Sequence, residues 1–112
     1  HPDLEGMFAS NESSTVGAAR ALRACRGKIK LVGFDSSPAL LDDLRKGIID
    51  SLVVQDPFGM GYLSVKSALT TLHGGQVPKQ QPLPALLVTR DNVDSPAIQA
   101  QLNPDLKQYI GQ

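Results

Sequence analysis

The chain has 112 residues, 41% of them apolar and 20% charged, and its 11 basic and 11 acidic side chains leave no net charge. These proportions are typical of one ordinary globular domain and exclude a disordered or collagen-like chain. The balanced charge argues against nucleic acid as a partner of this chain, and the single Cys25 excludes an internal disulfide. No apolar run is long enough to span a bilayer.

Short apolar segments alternate with segments of helical spacing along the chain. The apolar segments predict strands at 6–10, 29–34, 51–54 and 85–89. Apolar residues at helical spacing predict helices over 14–25, 38–46 and 58–73, and the polar tail 92–112 predicts one short helix near 105–110. This alternation predicts an α/β protein in which a parallel sheet is flanked by helices and joined by right-handed crossovers.

Residues that favour helix ends support these boundaries. Ser13 or Ser14 is the expected cap of the first helix. Pro38 suits the first position of the second helix, which Gly47 should end. Asp56, followed by proline, is the expected cap of the third helix.

Polar side chains follow three of the predicted strands at the point where each strand ends. They are Asn11, Asp35 and Gln55. In an open parallel sheet, ligands bind in the crevice beyond the carboxyl ends of the strands. Amide side chains donate and accept hydrogen bonds while a carboxylate only accepts, so the mixture suits a polyol better than a phosphate. The sequence therefore predicts a sugar-like ligand at these three residues.

Two other interpretations of the same residues stay open. Asn11 and Asp35 could instead be a helix cap and a turn residue, with no ligand. Asp35 at a strand end also resembles a phospho-acceptor aspartate, although the acidic pair and the later lysine that would serve a magnesium site are not apparent.

Five stretches of the chain, in one register over about residues 2–94, resemble a known family. They are Phe8-Ala9-Ser10-Asn11-Glu12 with Gly17-Ala18-Ala19; Lys30-Leu31-Val32-Gly33-Phe34-Asp35; Leu44, Gly47 and Ile49; Val54-Gln55-Asp56-Pro57 with Gly61; and Leu87-Val88-Thr89 with Asn92-Val93-Asp94. They are similar to the periplasmic sugar-binding proteins of the ribose-binding type. Those proteins share the type I periplasmic binding protein fold with the ligand-binding cores of lactose-repressor-like regulators.

The resemblance implies two lobes that close over a sugar, with 1–112 as a C-terminal fragment. Residues 1–55 and 84–94 would form the sheet of the second lobe, and the helix 57–75 would pack on the first lobe. Asn11, Asp35 and Gln55 match residues that hydrogen-bond sugar hydroxyls in the family. The resemblance implies no catalytic activity, metal or cofactor.

The family offers three functional settings for such a site. The first is a solute-binding protein in the periplasm that delivers a monosaccharide-like ligand to an ABC permease. The alternatives are the effector-binding core of a cytoplasmic transcription regulator and a sensor coupled to a kinase. For the isolated chain, an uncovered strand edge and an unpartnered third helix predict self-association or a swapped dimer.

Overall fold

The computed structural model describes residues 3–25 and 28–110, which form two compact units: one runs from the amino terminus to Val54 and resumes at Leu86, and the other is Gln55–Ala85. The elements in chain order are β1 (Gly6–Phe8), α1 (Glu12–Leu22), a 3₁₀ turn (Arg23–Cys25), β2 (Lys30–Phe34), α2 (Pro38–Arg45), β3 (Ser51–Val54), α3 (Pro57–Leu72), β4 (Leu86–Thr89), α4 (Pro96–Leu102) and α5 (Lys107–Ile110). The predicted α/β class is confirmed.

All four strands form one sheet in the order β1-β2-β3-β4. The pairs β1–β2 and β2–β3 are parallel, as predicted, but β4 runs antiparallel to β3, with Val54 opposite Leu86. The expectation that every strand would be parallel is therefore wrong for the last one. The physical reason is the connection between the two strands. The chain leaves the sheet at the end of β3 and re-enters it beside the same end, where Leu86 pairs with Val54, so β4 must run in the opposite direction to β3.

The first unit has a continuous apolar core. Its buried residues are Ala9, Ala19, Leu22, Leu31, Leu40, Leu44, Ile49, Leu52, Val54, Val88, Val93 and Ile98. Helix α1 lies so close to β2 that a Cβ atom added at Gly33 would sit 2.2 Å from Cγ2 of Thr15. The same atom would sit 2.8 Å from Cδ2 of Leu52 in β3. This close approach is possible only because residue 33 has no side chain.

The helix boundaries agree with the predictions in α2 and α3 and differ in α1. Asp56 caps α3, accepting a hydrogen bond from the Gly59 amide at 2.8 Å, and Gly47 follows α2 with φ of 73°. Helix α1, however, begins two residues earlier than predicted, and its cap is Asn11 rather than Ser13 or Ser14. The polar tail also contains α4, which the sequence reasoning missed.

A charged pair joins α2 to the turn after α1. Arg23 donates from one nitrogen to both carboxylate oxygens of Asp43, at 3.0 and 3.1 Å. The Asp43 side chain is 7% exposed and that of Arg23 is 55% exposed. The pair neutralises a nearly buried carboxylate, so the loss of either partner should weaken the contact between these helices.

The second unit consists of α3 and the segment that follows it. Gln81 of this segment donates to the Ser67 hydroxyl at 3.0 Å. Met60, Leu63 and Ser67 line a cavity of about 330 Å³ between helix and segment. Unlike the first unit, this one has no buried residue, and four side chains at helical spacing on α3 are at least half exposed. They are Tyr62, Val65, Leu69 and Leu72, here called the α3 stripe.

Candidate functional site

Asn11 and Asp35 line the same open depression in the first unit, which has a volume of about 480 Å³. Asn11 lies three residues beyond β1 and Asp35 follows β2 directly, and these strands are parallel neighbours. Their carboxyl ends therefore meet at one edge of the sheet, as ligand-binding residues of open α/β sheets do. The structure thus brings together two of the three predicted site residues.

Asn11 combines the role of helix cap with a place in the depression. Its side-chain oxygen accepts hydrogen bonds from the Ser14 amide at 2.9 Å and from the Ser13 hydroxyl at 3.0 Å. These two bonds occupy both lone pairs of the amide oxygen. The side-chain NH₂ group is then what Asn11 can offer a ligand, so it acts toward that ligand as a donor.

Asp35 has an unusual backbone conformation at the end of β2. Its φ is 67°, the left-handed region that few residues other than glycine adopt, though aspartate and asparagine tolerate it. Its backbone N–H donates to the Val53 carbonyl at 2.8 Å, which anchors the turn to β3. The side chain is half-buried at the wall of the depression. Its carboxylate supplies the hydrogen-bond acceptor that Asn11 does not.

Thr15 is the residue behind the site that sequence reasoning missed. It is fully buried on α1. Its hydroxyl lies 2.7 Å from the Asn11 carbonyl oxygen and accepts from the Phe34 amide at 3.0 Å. Thr15 shares the buried face of α1 with Ala19 and Leu22. That spacing could have placed it on the buried face, but it could not have identified its hydrogen-bond partners.

Two aromatic rings lie at the carboxyl ends of β1 and β2. Phe8 of β1 and Phe34 of β2 pack edge to face, with ring centroids 6.4 Å apart and planes at 89°. The Phe8 side chain is 60% exposed. The pair shows that apolar as well as polar surface is present where β1 and β2 end.

Gln55 follows β3 directly in the chain and is half-buried. It is the first residue of the second unit, whereas all the residues that line the depression belong to the first. Its participation in the site therefore stays a prediction.

The chemical character of the depression favours a neutral ligand that donates hydrogen bonds. Besides Asn11 and Asp35, it is lined by Glu12, Ser13 and Val16. Two carboxylates beside an amide and a hydroxyl would repel a phosphate and accept hydrogen bonds from sugar hydroxyls.

Two features are absent from the described part of the chain. Across 3–25 and 28–110, no group of three or more His, Cys, Asp or Glu residues is arranged to hold a metal ion. Over the same part of the chain, no helix combines the length and apolar character that crossing a membrane requires.

An α/β unit with polar groups at the carboxyl ends of neighbouring parallel strands has the form of a ligand-binding lobe. The chain belongs to the periplasmic binding protein family: a family model described as "Periplasmic binding protein domain" matches residues 1–76. The family resemblance predicted from the sequence is thereby confirmed.

Curated relatives and solved structures agree with this assignment. The ribose import binding protein RbsB of Bacillus subtilis is 31% identical over 90 residues, which is 80% of this chain and 30% of that protein. The Escherichia coli protein of the same name is 32% identical over 91 residues, 80% of this chain and 31% of that protein. The chain thus spans about 30% of the length of these relatives.

Two crystal structures have closely similar folds. A carbohydrate transporter solute binding protein from Agrobacterium radiobacter, in complex with D-arabinose, is 39% identical with a TM-score of 0.85, over 92% of this chain and 36% of that one. An ABC transporter solute binding protein from Agrobacterium vitis, bound with α-D-tagatopyranose, is 33% identical with a TM-score of 0.84, over 90% and 35% of the two chains.

Proposed function

We propose that this chain is part of the solute-binding component of an ABC-type sugar importer, and that it binds a monosaccharide-like ligand without transforming it. The observation that carries the proposal is the depression in which Asn11 and Asp35 meet. The names of the relatives support it, because they are import binding proteins and solute binding proteins of transporters. These names favour transport over the regulator alternative.

The proposed binding chemistry divides the work between the two residues. The NH₂ group of Asn11 donates to one sugar oxygen, since its own oxygen already serves the α1 cap. The carboxylate of Asp35 accepts from one or two sugar hydroxyls. Hydrogen bonds to a charged acceptor are worth about 1.5–3 kcal/mol, against roughly 1 for a neutral pair, so Asp35 should contribute most of the affinity.

Gln55 is the third proposed ligand-binding residue. As an amide, it can both donate to a ligand and accept from it. It follows β3 in the chain as Asp35 follows β2, which supports its inclusion.

The intact protein is proposed to contain a first lobe that this chain lacks. In this proposal, residues 1–55 and 84–94 belong to the sheet of the second lobe, and the helix over 57–75 packs on the first. The exposed α3 stripe supports such a partner, because apolar side chains at helical spacing gain free energy when they are covered. The proposed setting is the periplasm, with an ABC permease as the partner of the loaded protein.

The experiment is isothermal titration calorimetry of the full-length protein that contains this chain, against a panel of pentoses and hexoses. Asp35→Ala should weaken binding of the preferred sugar about tenfold or more. Asp35→Asn should lose less, because asparagine tolerates the left-handed backbone and keeps a neutral acceptor. The control is Asp91→Ala, an exposed aspartate that does not line the depression. Unchanged affinity in folded Asp35→Ala protein would contradict the proposal.

The isolated chain should behave differently from the intact protein. One lobe covers only part of a ligand that two lobes would enclose, so the 112 residues alone should bind sugar weakly or not at all. The uncovered α3 stripe should instead lead the chain to self-associate, as a simple or a swapped dimer. Light scattering over a concentration series tests this, and a constant monomer mass up to high micromolar concentration would contradict it.

A further inference from the structure

We propose that Thr15 is a positioning residue of the site: its hydroxyl sets the spacing between Asn11 and Asp35, although its buried side chain does not line the depression. This inference rests on the proposed function, because it assigns a role within the same sugar site. It concerns one side chain that the sequence reasoning did not single out.

The hydroxyl fills a gap in the hydrogen-bond ladder of the sheet. On the β1 side of β2, the Ala9 amide donates to the Val32 carbonyl at 2.9 Å. The next amide of β2 that faces the β1 side is that of Phe34. Beyond Ala9 the chain turns away into α1, so β1 supplies no partner for this amide. Thr15 supplies that partner, because its hydroxyl oxygen accepts from the Phe34 amide at 3.0 Å. A side chain of α1 thus continues the ladder where β1 ends.

The same hydroxyl also holds the residue at the start of α1. It has one proton to donate. Two carbonyl oxygens are within reach, that of Asn11 at 2.7 Å and that of Phe34 at 3.3 Å, and the shorter contact identifies Asn11 as the main acceptor. One oxygen atom therefore connects the backbone of a site residue, Asn11, with the residue that precedes the other, Asp35.

Two further observations place this connection in the packed interior and extend it to β3. Thr15 is fully buried, and its methyl group lies against Gly33, where there is no room for a side chain. On the other side, the Asp35 amide donates to the Val53 carbonyl of β3 at 2.8 Å. A continuous series of contacts thus runs from Asn11 through Thr15 and β2 to β3, across the strand ends that carry the site.

Other threonines of the chain show what a merely local hydroxyl bond looks like. Thr71 on α3 donates to the carbonyl four residues earlier, Ser67, at 3.0 Å, and its side chain is exposed. Such a bond stays within one helix. Thr15 makes the equivalent bond to Asn11 and, in addition, receives one from a different element, which makes Thr71 a matched control.

The test uses the full-length protein and measures calorimetric affinity for D-ribose and D-arabinose. Thr15→Val keeps the shape of the side chain and removes the hydroxyl, and Thr15→Ser keeps the hydroxyl and removes the methyl group. We expect Thr15→Val to weaken binding about fivefold or more, and Thr15→Ser to stay within about twofold of the parent. Thr71→Val should bind as the parent does.

A second measurement separates positioning from simple loss of stability. Amide hydrogen exchange of Phe34 and Asp35, at a temperature where every variant is folded, should accelerate in Thr15→Val and not in Thr15→Ser. Parent-like affinity in folded Thr15→Val would overturn the inference, as would equal losses in Thr15→Val and Thr15→Ser. If the parent protein itself bound neither these pentoses nor any sugar of the wider panel, the proposed function would fail first, and this inference with it.

Discussion

The two units of this chain differ most in what they bury. All the apolar residues of the buried core lie in the first unit, which holds the four-stranded sheet. The second unit is built on a longer helix, the 16-residue α3, and yet that helix buries no residue. The length and the apolar content of a segment therefore do not predict whether its side chains are buried within this chain.

This difference indicates where the stability of the chain resides. A helix of this length is marginal in water without tertiary packing. The first unit obtains that packing from its own sheet, whereas α3 presents its stripe to the surroundings. In the monomeric chain, substitutions in the first unit should thus change the free energy of unfolding, and comparable substitutions on the stripe should not.

The largest contrast should come from truncating one leucine in each unit. Leu52→Ala in β3 opens a cavity at a fully buried position and should lower the free energy of unfolding by about 2–5 kcal/mol. Leu69→Ala on the stripe, where the side chain is 50% exposed, should change it by less than about 0.5 kcal/mol. Urea denaturation of the isolated chain, diluted to a concentration at which light scattering gives the monomer mass and followed by far-ultraviolet circular dichroism, measures both. Equal losses would remove the distinction between the units.

A glycine pair should give effects of opposite sign. Gly33→Ala forces a methyl group against Thr15 and Leu52 and should cost about 1–3 kcal/mol. Gly61→Ala on α3 meets nothing within 4 Å and should increase helix stability by roughly 0.5–1 kcal/mol. Thermal unfolding of both variants checks the signs. Stabilisation by Gly33→Ala would show that α1 does not approach β2 as closely as described.

A smaller, pH-dependent effect should belong to the first unit. Burial raises the pKa of Asp50, but hydrogen bonds from the Lys30 ammonium and the Leu31 amide, with the charges of Lys30 and Arg90, outweigh burial and hold it below its ordinary value of 3.8. A lowered pKa in the folded state stabilises the fold above the unfolded-state pKa, and this contribution is lost as the pH falls through the folded-state value.

In Asp50→Asn, the free energy of unfolding should therefore fall less steeply at acid pH than it does in the parent. Above pH 5 the pH dependence of the two proteins should be nearly the same, because Asp50 stays ionised there in the folded and the unfolded parent. Urea midpoints at pH 7 and pH 3 measure the difference. Lys30→Gln should flatten the curve partly, because the Leu31 amide still donates to the carboxylate. A parent-like drop between these pH values in Asp50→Asn would show that other groups cause it.

Much of the fold could be predicted because local patterns and tertiary contacts agree. The bounds of β3 match the prediction, and Asp56-Pro57 marks the start of α3. The direction of β4 could not be predicted, since apolar spacing is the same in parallel and antiparallel strands. Helix α4 was not predicted because only one of its residues, Ile98, is buried, which leaves no apolar periodicity to recognise. Its first residues, Ser95-Pro96, are nevertheless typical of a helix start.

The site could be predicted in part, because polar residues at strand ends are visible in a sequence. The structure shows that Asn11 caps α1 and also lines the depression, so its role as a cap does not exclude the predicted contact with a ligand. The role of Thr15 could not be predicted, because its two partners, Asn11 and Phe34, are brought together only by the packing of α1 on β2.

The antiparallel pairing of β3 with β4 has a topological consequence. Since Val54 and Leu86 are opposite one another, the two strands already have the geometry of a β-hairpin, and residues 55–85 occupy the position of its loop. The second unit is in this sense an insertion into a hairpin. The entropy of closing a loop grows only slowly with its length, so such a position accepts a large segment, or its exchange for another, without disturbing the register of the strands that hold it.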